Sequence, residues 1–319
     1  MRALGQIIYQ AAPCAYYVGG SVRDGILKRR SADIDLALPK NFVKPASVKL
    51  ARLLRASAFE MDAGFCVWRV TLKTGLQIDL SALIGKDIYE DLRRRDFTVN
   101  AMACPTAALP LVDVDAQGRV LLKNLKKAQV IDLNGGFADI KAKTIRANAA
   151  NIFTEDPLRL LRAFRAAAEL NFKIAPATLA QIKKHSALIS KPAGERVQEE
   201  LKRIFAQNNT AARLADMDKA RLLTAVFPAL EDQKTTARVY YGKGGVFTHT
   251  LLVAQRVEYL LNHLKTVYPQ FYKRLLPFVG DAALYKMAAL LHDIAKPKTA
   301  KVIKDRLRFF YHEEKGAKM

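Results

Sequence analysis

Cysteine and acidic residues are scarce in this sequence, and long apolar runs are missing. The three cysteines, Cys14, Cys66 and Cys104, lie far apart in 319 residues. They form no CxxC pair, which argues against a zinc site or redox motif and fits a reducing cytosol. They read as small core residues, and no disulfide staples are needed. No run is long enough to span a bilayer. The apolar start from Met1 to Val18 lacks a basic region followed by a long apolar core and runs straight into a Gly-Gly turn, so it does not read as a signal peptide. Internal repeats and low-complexity tracts are also absent. The acidic shortage is the informative one: 30 Asp+Glu against 52 Lys+Arg give a formal charge of +22. That excess draws in a polyanion by counterion release, which makes nucleic acid the leading partner. Basic segments such as Lys123 to Lys127 and Lys296 to Lys304 also read as solvated faces.

The length exceeds what one hydrophobic core organises, so two or more domains are expected. In the first third, Cys14 to Val18, Ile34 to Leu38, Phe65 to Leu72 and Leu76 to Leu80 read as strands. Helices are predicted over Val22 to Lys28 and Ala46 to Ala56. Leu111 to Val114 and Arg119 to Leu122, joined through Asp115 to Gly118, predict a hairpin. This is an α/β head with a small mixed sheet. After about Thr144 the periodicity becomes helical. Thr154 and Pro157 mark a helix start with an apolar stripe at Leu158, Leu161, Phe164 and Ala168. Further helices are predicted over Pro176 to Leu188, Ala193 to Ala206, Thr210 to Ala215, Thr248 to Leu264 and Leu284 to Ile294. A turn-rich segment from Gln233 to Gly245 separates two helical units. The expected division is a head over 1–143, a helical body over 144–232 and a further helical domain over 233–319.

The strongest local pattern is Val18-Gly19-Gly20-Ser21-Val22-Arg23-Asp24, followed nine residues after Asp24 by Asp33-Ile34-Asp35. A Gly-Gly turn between strand and helix lets backbone N–H groups approach phosphate oxygens. Alternate strand residues face one side, so Asp33 and Asp35 project two carboxylates at one point, a set suited to magnesium and substrate phosphates. DxD is a common surface pattern and Gly-Gly an ordinary turn; it is their order together that points to a site. Asp79, on a later predicted strand, reads equally as a third carboxylate or as a strand-end polar residue.

Arg94-Arg95-Asp96-Phe97-Thr98-Val99-Asn100-Ala101 matches the RRDFTxNA element of a known family. With GGxxRD and DxD before it, the sequence resembles the class II tRNA nucleotidyltransferases and bacterial poly(A) polymerases, a branch of the polymerase-β-like nucleotidyltransferases. The resemblance runs across nearly the whole chain and implies a polymerase-β-like head followed by an all-helical body. It implies that Gly19, Gly20, Ser21 and Arg23 hold a nucleoside triphosphate, and that Arg95, Asp96 and Asn100 recognise the ribose 2′-hydroxyl. Glu155-Asp156-Pro157-Leu158-Arg159 matches the family's EDxxR. Asp156 and Arg159 stand three apart on one face of the helix this motif opens, so an acceptor and a donor address one base edge. Cytosine and adenine present an amino donor beside a ring-nitrogen acceptor, which such a pair admits while rejecting guanine and uracil. A plain helix N-terminus with an internal ion pair is the alternative. Arg162 and Arg165 read as phosphate contacts or as solvent arginines. Glu195-Arg196 with Glu200 resembles ERxxxE and is expected to brace the nucleotide helix.

His249, His292-Asp293 and His312 resemble an HD domain, whose histidines and carboxylate bind a divalent metal for phosphoester hydrolysis. No carboxylate on a later helix follows His312, so a partial, structurally retained HD unit is the default. The implied activity is addition of C and A to tRNA 3′ ends from CTP and ATP, in the cytoplasm, with magnesium and without a membrane. CCA-adding members carry a flexible insertion before RRDFTxNA, whereas only Ser81 to Arg93 lies there, which leaves room for CC-only or A-only addition. Poly(A) polymerase, an HD phosphohydrolase and an inactive RNA-binding protein are the rivals.

Overall fold

The computed structural model describes residues 4–64, 66–108 and 110–319. The chain forms two compact units, residues 1–152 and 153–319. Residues 144–152 therefore group with the head, and the turn-rich segment from Gln233 to Gly245 lies within the second unit. The Gln233 amide is buried there, donating to the Asp293 carbonyl at 2.9 Å and accepting from the Thr250 hydroxyl at 3.0 Å.

In the first unit, α1 (Leu4–Ala11) precedes β1 (Tyr16–Val18), α2 (Gly20–Ile26), β2 (Asp33–Leu38) and α3 (Lys40–Leu54). Then come β3 (Ser57–Asp62), β4 (Val67–Thr71), β5 (Gln77–Ala82), α4 (Ile88–Arg94), β6 (Met102–Pro105), β7 (Leu111–Val114), β8 (Val120–Lys123), β9 (Ile131–Asp132) and α5 (Gly136–Lys141). Seven strands form one mixed sheet in the order β3-β4-β5-β2-β1-β6-β9, and β7 and β8 make the expected hairpin. Within the sheet β2 and β5 run parallel; the other neighbours are antiparallel. Strand β2 shows why the sequence folds this way. Ile34, Leu36 and Leu38 are fully buried, so the alternate positions Asp33 and Asp35 share the other face. Helix α3 buries Val43, Ala46, Ser47, Leu50 and Ala51, a stripe at helical spacing.

Two local expectations are corrected. Helix α3 begins at Lys40 rather than Ala46, because Pro45 is accommodated in its second turn instead of opening it. The strand expected from Phe65 begins at Val67; Phe65 lies outside the described residues. Strand β3 was not expected at all, since its exposed pattern carries no alternation signal.

The second unit is helical: α6 (Arg159–Leu170), α7 (Pro176–His185), α8 (Gly194–Phe205), α9 (Thr210–Lys219), α10 (Gly245–Asn262) and α11 (Ala282–Leu291), with shorter turns between. The apolar stripe of α6 is present, with Leu160, Leu161, Ala163, Phe164, Ala167 and Ala168 buried. Its start is later than the Thr154 and Pro157 signals predict. A short helix ends at Glu155, and residues 156–158 form a turn before Arg159. Glu258 on α10 accepts the N–H groups of Thr210 (2.6 Å) and Ala211 (3.1 Å), so it caps α9 from another helix. The Lys286 ammonium lies 3.4 Å from Glu258 and is buried on α11. A small hairpin of β10 (Lys301–Ile303) and β11 (Arg306–Arg308) breaks the helical pattern. Its turn residues Lys304 and Asp305 both have positive φ without the Asn or Gly that would announce it.

Candidate active site

Strand β1 ends against Gly19, whose φ of +62° and ψ of −130° belong to glycine backbone. A β-carbon there would lie 3.5 Å from Asp35 Oδ2 and 3.3 Å from Arg95 Nη1. At Gly20 it would lie 3.9 Å from Asp35 Oδ2. The Gly-Gly turn therefore passes directly against the Asp35 carboxylate. Ser21 ties the same turn to β2, its hydroxyl accepting the Asp35 N–H at 2.9 Å.

Asp79, which reads either as a third carboxylate or as a strand-end polar residue, stands beside the pair. Asp79 on β5 is in register with Asp35 on β2, and Arg69 on β4 is in register with Asp79. Both Asp79 oxygens accept from Arg69, Nε and Nη2 each at 2.7 Å. Burial pushes the Asp35 carboxyl up to about 7, helped by the Asp33 charge and opposed by Arg95; Asp79 raises it further and Arg23 works against it. Carboxylates crowded this way form a hard-oxygen donor set, and a divalent cation would relieve their repulsion.

Three of the residues expected at triphosphate and ribose, Arg23, Asn100 and Asp96, are joined in one chain of hydrogen bonds. Arg23 donates to both Asp24 oxygens (2.9 and 2.8 Å) and to Asn100 Oδ1 at 2.7 Å. The Asn100 amide donates to Asp96 Oδ1 at 3.1 Å, and the same oxygen accepts the Phe97 N–H. Arg95 donates from Nε to Asp91 Oδ2 at 2.8 Å, and Asp91 Oδ1 accepts the Ile84 N–H at 3.0 Å. The sequence reading quoted Asp24 in the GGxxRD element without giving it a role, and missed Arg69 and Asp91. Asp91 could have been found, standing four residues before Arg95 on a helix. Arg69 carried no local signal.

In the second unit, Asp156 lies in the turn before α6 and not on its face. Asp156 Oδ1 accepts the Leu158 N–H at 3.1 Å, and the Asp156 carbonyl accepts the Arg159 N–H at 3.0 Å. Glu155 holds Arg159 at 3.4 Å, and Arg196 on α8 lies 3.9 Å from Asp156. Arg162 follows on α6. Arg165 pairs with Glu200 at 2.8 Å, so the ERxxxE residues reach the helix they were expected to brace. Burial lowers the Arg165 guanidinium and raises the Glu200 carboxyl from their ordinary values.

The HD residues also converge. Asp293, 1% exposed, has His292 Nε2 at 3.0 Å, His249 Nε2 at 3.6 Å and His312 Nε2 at 3.4 Å. Ligand atoms of His249, His292 and Asp293 all lie within 4.8 Å of one another. The Nδ1 atoms of His292 and His312 face the carbonyls of Ala289 (2.9 Å) and Phe309 (2.7 Å), which turns their Nε2 atoms to Asp293. The sequence reading missed Lys296, whose ammonium is 2.7 Å from Asp293 Oδ2. Burial would raise the Asp293 carboxyl, but hydrogen bonds from His292 and Lys296 outweigh it and bring it down to about 2. Burial lowers the His249 imidazole, and the bond to Asp293 raises that of His292. Among the described residues no helix is long and apolar enough to cross a membrane.

Residues 68–146 match the poly(A) polymerase head domain, 171–234 the probable RNA- and SrmB-binding site of polymerase A, and 246–319 the HD domain. A CC-adding tRNA nucleotidyltransferase from Geobacter sulfurreducens is 32% identical over 288 residues, covering 89% of this chain and 60% of that protein. An A-adding tRNA nucleotidyltransferase from Deinococcus radiodurans is 31% identical over 315 residues, covering 96% and 63%. The chain thus spans under two thirds of the length of these relatives. A solved tRNA-processing enzyme in an apo form superposes with a TM-score of 0.65 at 24% identity, covering 91% of this chain and 73% of that one, and so shares the fold.

Proposed function

We propose that this chain, which belongs to the class II tRNA nucleotidyltransferase and bacterial poly(A) polymerase family and carries an HD domain, adds C and A residues from CTP and ATP to the 3′ end of tRNA, releasing pyrophosphate. The observation that carries this reading is the Asp33 and Asp35 pair on one strand face, with the Gly19-Gly20 turn laid against Asp35.

Magnesium held by Asp33 and Asp35 would supply the charge that activates the RNA 3′-hydroxyl and neutralises the leaving pyrophosphate. The other residues position the substrates. Gly19 and Gly20 remove side chains from the approach to Asp35, and the Ser21 bond fixes that turn to β2. Arg23 and Arg95 supply positive charge beside the carboxylates for the triphosphate. Asp96 and Asn100, bonded to each other, are the ribose acceptor and donor. Asp156 accepts the amino group of C or A and Arg159 donates to the ring nitrogen, replacing a template. Arg162 adds charge for phosphate, while Arg165 is held by Glu200 and stabilises α6. Catalysis is then mainly orientation and charge stabilisation. A cytoplasmic site of action goes with a tRNA substrate. The His249, His292, Asp293 and His312 cluster is a retained HD unit with an internal ammonium, Lys296, on its carboxylate.

A second reading, addition of CC alone or A alone, is favoured by one observation. Between β5 and the RRDFTxNA element, α4 takes up residues 88–94, so only residues 83–87 remain as loop. The test is incubation with tRNA ending at the discriminator base, at C or at CC, with labelled CTP and ATP supplied separately. Incorporation on all three supports complete addition, and on a subset partial addition. Long A tracts on any RNA would make it a poly(A) polymerase; binding without incorporation would refute transfer.

A further inference from the structure

Asp35, Asp79 and Arg69 occupy one cross-strand row on β2, β5 and β4. We propose that Arg69 is the positioning residue of this row: it holds the Asp79 carboxylate in one orientation and offsets its charge, and so sets how tightly the Asp33 and Asp35 pair takes its cation. The inference rests on the reading of that pair as the metal-binding site.

In-register neighbours on adjacent strands present their side chains on the same face about 5 Å apart. Asp79 therefore brings a third negative charge beside a pair already crowded. The guanidinium meets it with two parallel bonds of 2.7 Å, from Nε and Nη2. A planar fork on a planar carboxylate fixes the torsion of Asp79 as well as compensating its charge. Arg69 and Asp79 are 24% and 19% exposed, so solvent screens the pair only partly. The neighbour Val70 is fully buried on the opposite face, which holds Arg69 to the site side of β4. A lysine would keep the charge and lose the fork.

The consequence separates affinity from rate. Without Arg69 the row gains a net negative charge, so the cation binds more tightly, while Asp79 loses its fixed orientation and transfer slows. Without Asp79 the row gains a net positive charge, so the cation binds more weakly. Removal of both restores the balance of charge and leaves the orientation lost.

The experiment measures Mn²⁺ binding by electron paramagnetic resonance on the full chain, counting only the site lost in Asp35→Ala, together with single-turnover CTP incorporation and melting temperature. Arg69→Met is expected to bind Mn²⁺ about tenfold more tightly and to incorporate on the order of a hundredfold more slowly. Asp79→Asn should bind Mn²⁺ more weakly than the original protein, and the double variant about equally to it, with rates low in both. Arg69→Lys should recover the affinity and not the rate. Should Arg69→Met fail to fold, Arg69→Gln replaces it with the same expectations. Unchanged Mn²⁺ affinity in Arg69→Met and Asp79→Asn, with only the melting temperature moved, would make the pair a strand brace and overturn the proposal. If Asp35→Ala kept both Mn²⁺ binding and incorporation, the site reading itself would fall instead.

Discussion

Asp35 and Asp79 face each other across the parallel pair β2 and β5, and Asp35 has Asp33 as a second acidic neighbour on its own strand. The folded protein thus holds a carboxyl that resists ionisation, with its titration moved from 3.8 up to about 7. A carboxyl raised on folding binds its proton more tightly in the folded state, so stability falls as pH rises from about 4 to about 7 and is level above. Asp35→Asn removes this loss. In metal-free buffer its stability advantage should be absent near pH 3.5 and grow to at most a few kcal/mol by pH 7, at about 1.4 kcal/mol per pKa unit. Thermal melts in chelator across this range check it; an advantage that does not grow with pH contradicts it. Magnesium should erase it at high pH.

Gly19 adopts glycine backbone and lies against Asp35, whereas Gly75 has a φ of +87° with open space around it. Both alanine variants should lose about 1–3 kcal/mol of stability through backbone strain. Gly19→Ala alone should also lower kcat/KM for CTP, by about tenfold or more, as the added methyl presses on Arg95 and narrows the approach to Asp35. Equal rates in the two variants would separate the turn from the chemistry.

The proposed function gives base choice to Asp156 and Arg159. Arg159→Ala should reduce discrimination of CTP over UTP by about tenfold or more, since a bidentate pair distinguishes bases by about 1–3 kcal/mol. Competition between labelled CTP and UTP reads this directly. A variant that is slow with every nucleotide yet still selective would move base choice elsewhere.

Glu258 is a buried carboxylate that caps α9 and faces Lys286. Glu258→Ala should cost about 3–5 kcal/mol, because it leaves a buried ammonium without its counter-charge, still bonded to the Gln207 carbonyl, and two N–H groups without their acceptor. Glu258→Leu with Lys286→Met should recover most of the ammonium's share. Urea unfolding of the three proteins decides it: a double variant as unstable as Glu258→Ala refutes coupling.

What the sequence showed was local. Asp33-Ile34-Asp35 announced a two-sided strand because strand period is two, and Ile34 is fully buried between them. The stripe of α6 and the proline at the start of α7 were equally plain. The Arg69 to Asp79 fork depends on the register of paired strands, and the Glu258 cap reaches a helix 48 positions earlier in the chain. Neither carries a spacing rule. Asp156 was placed on a helix face because Pro157 resembled a first turn, whereas the chain uses that proline in a turn between two helices.

The central claim is that Asp33 and Asp35 perform the transfer. Single-turnover incorporation of labelled CTP into tRNA ending at the discriminator base, in magnesium, compares the protein with Asp33→Ala and Asp35→Ala of unchanged circular dichroism. The account predicts extension by the first and none by either variant; extension by a folded variant at the original rate would contradict it.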